Sequence, residues 1–124
     1  MSKVTGVDFI ILPTQDIDKA LDFYGNVLGL ERGKQWGEMP AHEFETGSLT
    51  IAVVDPTCIG QQFARHSFPV ALQVDDVEAM RAKLVEAGVT FGADTIDSGV
   101  CHMAIFHDPD GNTLMLHKRY APPA

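Results

Sequence analysis

The chain has 124 residues, 45% of them apolar and 21% charged, with a formal net charge of −8. That length and balance suit one globular domain with a core of its own, and the acidity argues against nucleic acid or an anionic membrane as partner. No run approaches the ~20 apolar residues of a membrane-spanning helix, and Met1–Asp8 lacks a charged-then-apolar export signal, so a cytoplasmic protein is expected.

The elements repeat, and the chain reads as two copies of one unit. Copy one covers about residues 4–55 and opens with a strand, Val7 to Leu12. Asp16 is placed to cap a helix whose apolar residues Ile17, Ala20, Leu21, Tyr24 and Leu28 recur at helical spacing, and Gly29 ends it. A short extended segment around Trp36 follows, then Glu43–Glu45, a turn at Thr46–Ser48 and a strand from Leu49 to Val54. Residues 56–67, with Pro56 and Gly60, form a linker.

Copy two covers about 68–119 and starts with a strand from Pro69 to Val74. Asp75 and Glu78 have the spacing of a capping box. Val77, Met80, Leu84 and Ala87 form the apolar stripe, and Gly88 closes the helix. Strands follow at Val89–Phe91, Cys101–His107 and Thr113–His117, the last two joined by the turn Asp108-Pro109-Asp110-Gly111. In that turn Pro109 presets φ and Gly111 supplies a positive φ. The tail Ala121–Ala124 is expected to fray. Cys58 and Cys101 stand far apart and read as free thiols.

The strand–helix–strand–strand–strand order, twice over, is an α+β fold: two βαβββ units forming a curved half-barrel sheet with helices on its convex face. Alternation along the strands divides the side chains between two faces. Ile10, Leu12, Phe44, Ile51, Val53, Leu72, Phe106, Leu114 and Leu116 are expected beneath the helices. The opposite face carries Phe9, Ile11, Glu43, Ala52, Val54, Ala71, Met103, Ile105, His107, Met115 and His117. This mixture of apolar, small and polar groups suits a ligand surface. Trp36, between Gly33 and Gly37, is placed to rim it and stack on a flat molecule.

Two stretches, Asp16…Phe23-Tyr24…Leu28-Gly29 and Asp108-Pro109-Asp110-Gly111, make the chain resemble the vicinal oxygen chelate superfamily of glyoxalases, bleomycin-resistance proteins and extradiol dioxygenases. The resemblance spans almost the whole chain. It implies a fold whose metal-dependent members take His, Glu or Gln ligands from the first and last strands of each unit. Counting from Asp16, Asp76 and Asp108 places those positions at Phe9, Ala52, Pro69 and Met115. None offers the oxygen, imidazole or thiolate donor that a divalent ion requires. No metal and no cofactor are therefore expected, and the Lewis-acid chemistry of the enzymes in this superfamily is not carried over.

The expected function is metal-free binding of a small molecule in a concave sheet pocket, as in sequestration or resistance proteins. The ligand set is Phe9, Ile11, Trp36, Glu43, Ala52, Val54, Ala71, Met103, Ile105, His107, Met115 and His117; no catalytic residue is identified. The ligand is expected to be planar or cationic, the acidity favouring a cation, and the resemblance implies a homodimer. The alternatives are a lyase or dioxygenase with a displaced metal site built from Glu43, His107 and His117, and an inactive structural dimer. His42 and His66 are expected at the surface, and His102 is read as structural.

Overall fold

The computed structural model describes residues 2–122. Met1, Pro123 and Ala124, and with them the end of the tail expected to fray, lie outside the described residues. The chain divides into two compact units, Met1–Ala64 and Arg65–Ala124.

Unit one begins with β1 (Phe9–Pro13), which Thr14 ends by returning its N–H to the Val54 carbonyl at 2.9 Å. Asp16 caps α1 (Ile17–Asp22) by accepting from Lys19 N–H. The helix does not continue to Leu28 as its apolar spacing predicts. It widens into a π-helical turn over Phe23–Val27, where Leu28 N–H reaches back to the Phe23 carbonyl at 2.8 Å. The sequence neighbours Phe23 and Tyr24 both sit in the core there, ring centroids 5.2 Å apart. Gly25 lies against the Phe44 ring, which a Cβ at that position would touch at an ordinary contact distance of 3.5 Å. Strands β2 (Glu31–Gln35), β3 (Ala41–Glu45) and β4 (Thr50–Val54) complete the sheet, and a 3₁₀ turn over Pro56–Ile59 leaves it.

Unit two repeats the plan with β5 (Val70–Gln73), α2 (Val77–Glu86), β6 (Ile96–Asp97), β7 (Cys101–His107) and β8 (Thr113–Arg119). The cap of α2 is Asp76, one residue later than the capping-box spacing suggests. Its backbone is extended and its carboxylate accepts from Ala79 N–H, so Glu78 falls inside the first turn. No strand forms at Val89–Phe91. Phe91 turns onto the helix-covered side instead, 5.2 Å from Phe106, with the Arg81 guanidinium 4.8 Å above its ring. Arg81 also donates to the Ala93 carbonyl and the Thr95 hydroxyl, so one side chain straps the loop to α2.

The two sheets have the same order, β1-β4-β3-β2 and β5-β8-β7-β6, with the first two strands of each parallel and the rest antiparallel. Both are open. The register aligns the copies residue by residue: Ile11–Ala52–Glu43 is the middle row of one sheet and Ala71–Met115–Ile105 that of the other. On the helix side of unit one, Leu12, Phe44, Ile51 and Val53 are buried with Ala20, Tyr24 and Leu28. Leu84, Ala104, Phe106, Leu114 and Leu116 do the same in unit two.

The Asp108–Gly111 turn is held by a buried network. One Asp108 carboxylate oxygen accepts from Asp110 N–H and Asn112 N–H, and the other from the Asn112 side-chain amide at 2.8 Å. The Asn112 amide oxygen accepts from His66 N–H, and Thr113 N–H donates to the His66 carbonyl. The turn thus fixes both the β7–β8 hairpin and the segment entering β5. The buried Asp108 carboxylate and Asn112 amide oxygen are matched, as burial away from water demands, whereas the ring Nδ1 of His66 beside them is buried without a hydrogen-bond partner among the described residues.

Candidate functional site

In unit one, the face turned away from α1 carries a small apolar floor of Ala41, Ala52 and Val54, all fully buried. Ile11, Trp36 and Cys58 pack on that floor and are themselves half-buried. Trp36 comes directly after β2, and its backbone N–H is tied to the Ala41 carbonyl at 2.9 Å. Its indole N–H donates to Glu43 Oε2 at 2.8 Å. The ring of Phe9 meets the indole edge-on, with centroids 5.1 Å apart at 62°.

Two features of β2 make this arrangement possible. The β2–β3 register slips between Arg32 and Gln35, which bends the strand. Gly33 lies at the slip, where an added Cβ would stand 3.3 Å from Glu43. The result is an exposed aromatic edge, a fixed carboxylate and an apolar base on one surface. Such a surface can stack on a flat ring and pair with a positive charge beside it. Ala52 and Val54, expected as direct ligand contacts, lie underneath as its base.

In unit two the corresponding face carries Ala71, Met103, Ile105, His107, Met115 and His117. Cross-strand neighbours are Met103 with His117, Ile105 with Met115, and His107 with Thr113. Ala71 flanks Met115 from β5, and Gln73 flanks His117. Met103, Met115 and His117 are half-buried, whereas Ala71, Ile105 and His107 are exposed.

The four positions at which relatives would hold a divalent ion fit it poorly. Phe9 and Ala52 share one sheet face, and Met115 occupies in unit two the row of Ala52 in unit one. Pro69 lies just before β5. Phenyl, methyl, pyrrolidine and thioether groups supply no hard or borderline donor, so no step is derived through a divalent ion. The displaced set fares no better. His107 at the turn end of the β7–β8 ladder and His117 further along it stand four register steps or about 13 Å apart. Glu43 already accepts from the indole. Among the described residues, no three His, Cys, Asp or Glu side chains converge as a metal-binding group.

Other polar groups fall off these faces. His42, expected at the surface, is buried on the helix side, with Nδ1 3.2 Å from the Arg32 guanidinium. Burial, then the Arg32 charge, holds its imidazole below the ordinary value of 6.5. Beside it, Leu21, Asp22, Gly25, Asn26, Leu30 and Arg32 line a concavity of about 320 Å³ next to the π-helical turn. His66 is half-buried in unit two.

His102 pairs with Asp97 at 3.4 Å and stacks on Tyr120, centroids 4.6 Å apart. Tyr120 donates to Asp97 at 2.7 Å. The Gly99 N–H and then the Tyr120 hydroxyl hold the Asp97 carboxyl below the usual range, and the bond to Asp97 pushes the Tyr120 phenol up. This trio pins the short β6 to the end of β8. The sequence reading missed Asp97 and Tyr120, because 23 residues separate them. Cys58 and Cys101 are free thiols.

Comparison with known proteins bears on these sites. A family model described as the Glyoxalase/Bleomycin resistance protein/Dioxygenase superfamily matches residues 6–116. None of the curated proteins matches the chain. Among solved structures, TnmS3, an antibiotic binding protein from Streptomyces sp. CB03234, is similar at 26% identity with a TM-score of 0.80; the match covers 96% of this chain and 99% of that one. A superfamily member from Sphaerobacter thermophilus DSM 20745 is also 26% identical, with a TM-score of 0.79, over 92% of this chain and 97% of that one. A lactoylglutathione lyase from Agrobacterium tumefaciens, at 19% identity, shares the fold with a TM-score of 0.76, over 93% of this chain and 94% of that one. No helix among the described residues is long and apolar enough to cross a membrane.

Proposed function

Since the chain belongs to the glyoxalase/bleomycin resistance protein/dioxygenase superfamily, we propose that it binds a small, flat, cationic molecule without a divalent metal ion, as a sequestration or resistance protein does. The observation that carries this reading is the set Phe9, Ala52, Pro69 and Met115, which holds no hard or borderline donor. Where the enzymes of this superfamily need a divalent Lewis acid, this chain places aromatic and aliphatic carbon and one soft thioether.

The Phe9–Trp36–Glu43 arrangement supplies the complementary half of the argument. The indole edge and Phe9 present a surface for stacking, and the Glu43 carboxylate beside them favours a positive charge. The net charge of −8 draws cations toward the protein from a distance. The similarity to TnmS3, whose name states that it binds an antibiotic, supports the same class of role. In unit two, Ala71, Met103, Ile105, His107, Met115 and His117 are proposed as a second, separate contact surface. The working state is proposed to be a cytoplasmic homodimer.

Metal analysis tests the reading. Purified protein dialysed against Zn²⁺, Mn²⁺ or Fe²⁺ and then against buffer is expected to retain no stoichiometric ion. Retention of one ion per chain, lost in His117→Ala, would instead support a metal-dependent enzyme.

A further inference from the structure

We propose that Met103, Met115 and His117 form a site for a soft monovalent cation, Cu(I) in its chemistry, on the exposed face of the β7–β8 hairpin. The register makes Met103 and His117 direct cross-strand neighbours, which sets their Cβ atoms about 5 Å apart. Met115 is diagonal to Met103 across the ladder and two residues from His117 along β8, each about 7 Å away. Alternation puts all three on the same face, and all three are half-buried. Long unbranched thioethers at those separations can converge with the imidazole on one point above the sheet.

The donor chemistry selects the ion. Two thioethers and one imidazole carry no negative charge, so they compete poorly with water for hard or borderline dications. Thioether sulfur is soft and polarisable and prefers Cu(I). The neighbours Ile105 and Ala71 are apolar and add no hard donor to compete with the thioethers. Gln73, beside His117 on β5, stands where an amide can hold the second ring nitrogen.

This site lies within unit two and shares Met103, Met115 and His117 with the contact surface proposed there, but it uses neither Trp36 nor Glu43. Its failure would leave the ligand proposal for unit one intact, and the reverse also holds.

The test uses the full chain under anaerobic conditions, with Cu(I) buffered by bathocuproine disulfonate and Ag(I) as a redox-inert analogue. Cys58→Ser/Cys101→Ser serves as background, because either thiol would bind Cu(I) by itself. One Cu(I) per chain is expected in that background. Met103→Leu and Met115→Leu, which conserve side-chain volume, should each weaken binding at least about tenfold with unchanged circular dichroism. With ¹³C-methyl methionine, Ag(I) should shift the Met103 and Met115 signals and leave Met39 and Met80 in place. Loss of Cu(I) binding in the cysteine-free background would overturn the proposal. So would undiminished binding by both leucine variants, or equal shifts at all methionines.

Discussion

The indole N–H of Trp36 donates to the Glu43 carboxylate at 2.8 Å, joining the bend after β2 to the middle of β3. The bond fixes a charged group at the edge of an aromatic surface, and Ala41, Ala52 and Val54 support both residues from below. If the pair acts as a unit, its members must lose stability together. Trp36→Phe keeps an aromatic ring but removes the donor and is expected to cost about 1–2 kcal/mol. Glu43→Gln should cost less. A double-mutant cycle followed by urea unfolding should give a coupling energy above about 0.5 kcal/mol, and simple additivity would show that the bond contributes nothing.

The alternation of faces can be checked at two adjacent residues of β7. Phe106 is 0% exposed beneath α2, and Ile105 is 36% exposed on the other face. Phe106→Ala is expected to destabilise by about 3–5 kcal/mol, and Ile105→Ala by about 1 kcal/mol or less. Denaturant midpoints of the two variants measure the difference. Comparable losses would mean that both faces are sealed.

The Asp108–Asn112 network carries both the hairpin turn and the entry to β5. Asn112→Ala removes the amide donor to Asp108 and the acceptor for His66 N–H, both buried. The expected loss is about 2–4 kcal/mol, since two backbone or carboxylate partners are left unmatched. Faster hydrogen exchange at His66 and Thr113 amides than at β7 core amides would locate the damage.

His42 contributes a definite pH dependence. Burial and the Arg32 guanidinium favour its neutral form, so its folded-state value lies below the 6.5 of an ordinary imidazole. The unfolded chain therefore takes up this proton first as pH falls. Stability from His42 is complete above about pH 6.5 and declines as the pH drops through the lowered folded value. His42→Gln keeps an acceptor for Arg32 and does not titrate. Its stability should fall less than that of the wild type between about pH 6.5 and 5, as read from thermal midpoints.

Much of the architecture was legible because it rests on short-range rules. The caps at Asp16 and at the second helix, the closing glycines and the Asp108–Gly111 turn are local signals. Strand parity then assigned Leu12, Phe44, Phe106 and Leu116 to the helix side and Phe9, Met115 and His117 to the other. What escaped were effects of tertiary packing. The first helix widens into a π-helical turn at the buried neighbours Phe23 and Tyr24, which its apolar spacing gives no hint of. Phe91 leaves the expected strand for Arg81 and Phe106. His42 has the parity of Phe44, a sign that it would be buried, but its nearness to a loop masked this. The Trp36–Glu43 bond depends on a register slip at Gly33 that no residue pattern announces.

The most direct test of the account follows the fluorescence of Trp36, the one tryptophan in the chain, in protein stripped of divalent ions with EDTA. A panel of planar aromatic cations is titrated beside carboxylate analogues of the same shape. Saturable quenching by a cation is predicted without added metal, weakened about tenfold in Glu43→Gln and absent for the matching anion. Quenching that appears only once a divalent ion is restored, or that favours the anions, would contradict a metal-independent cation binder.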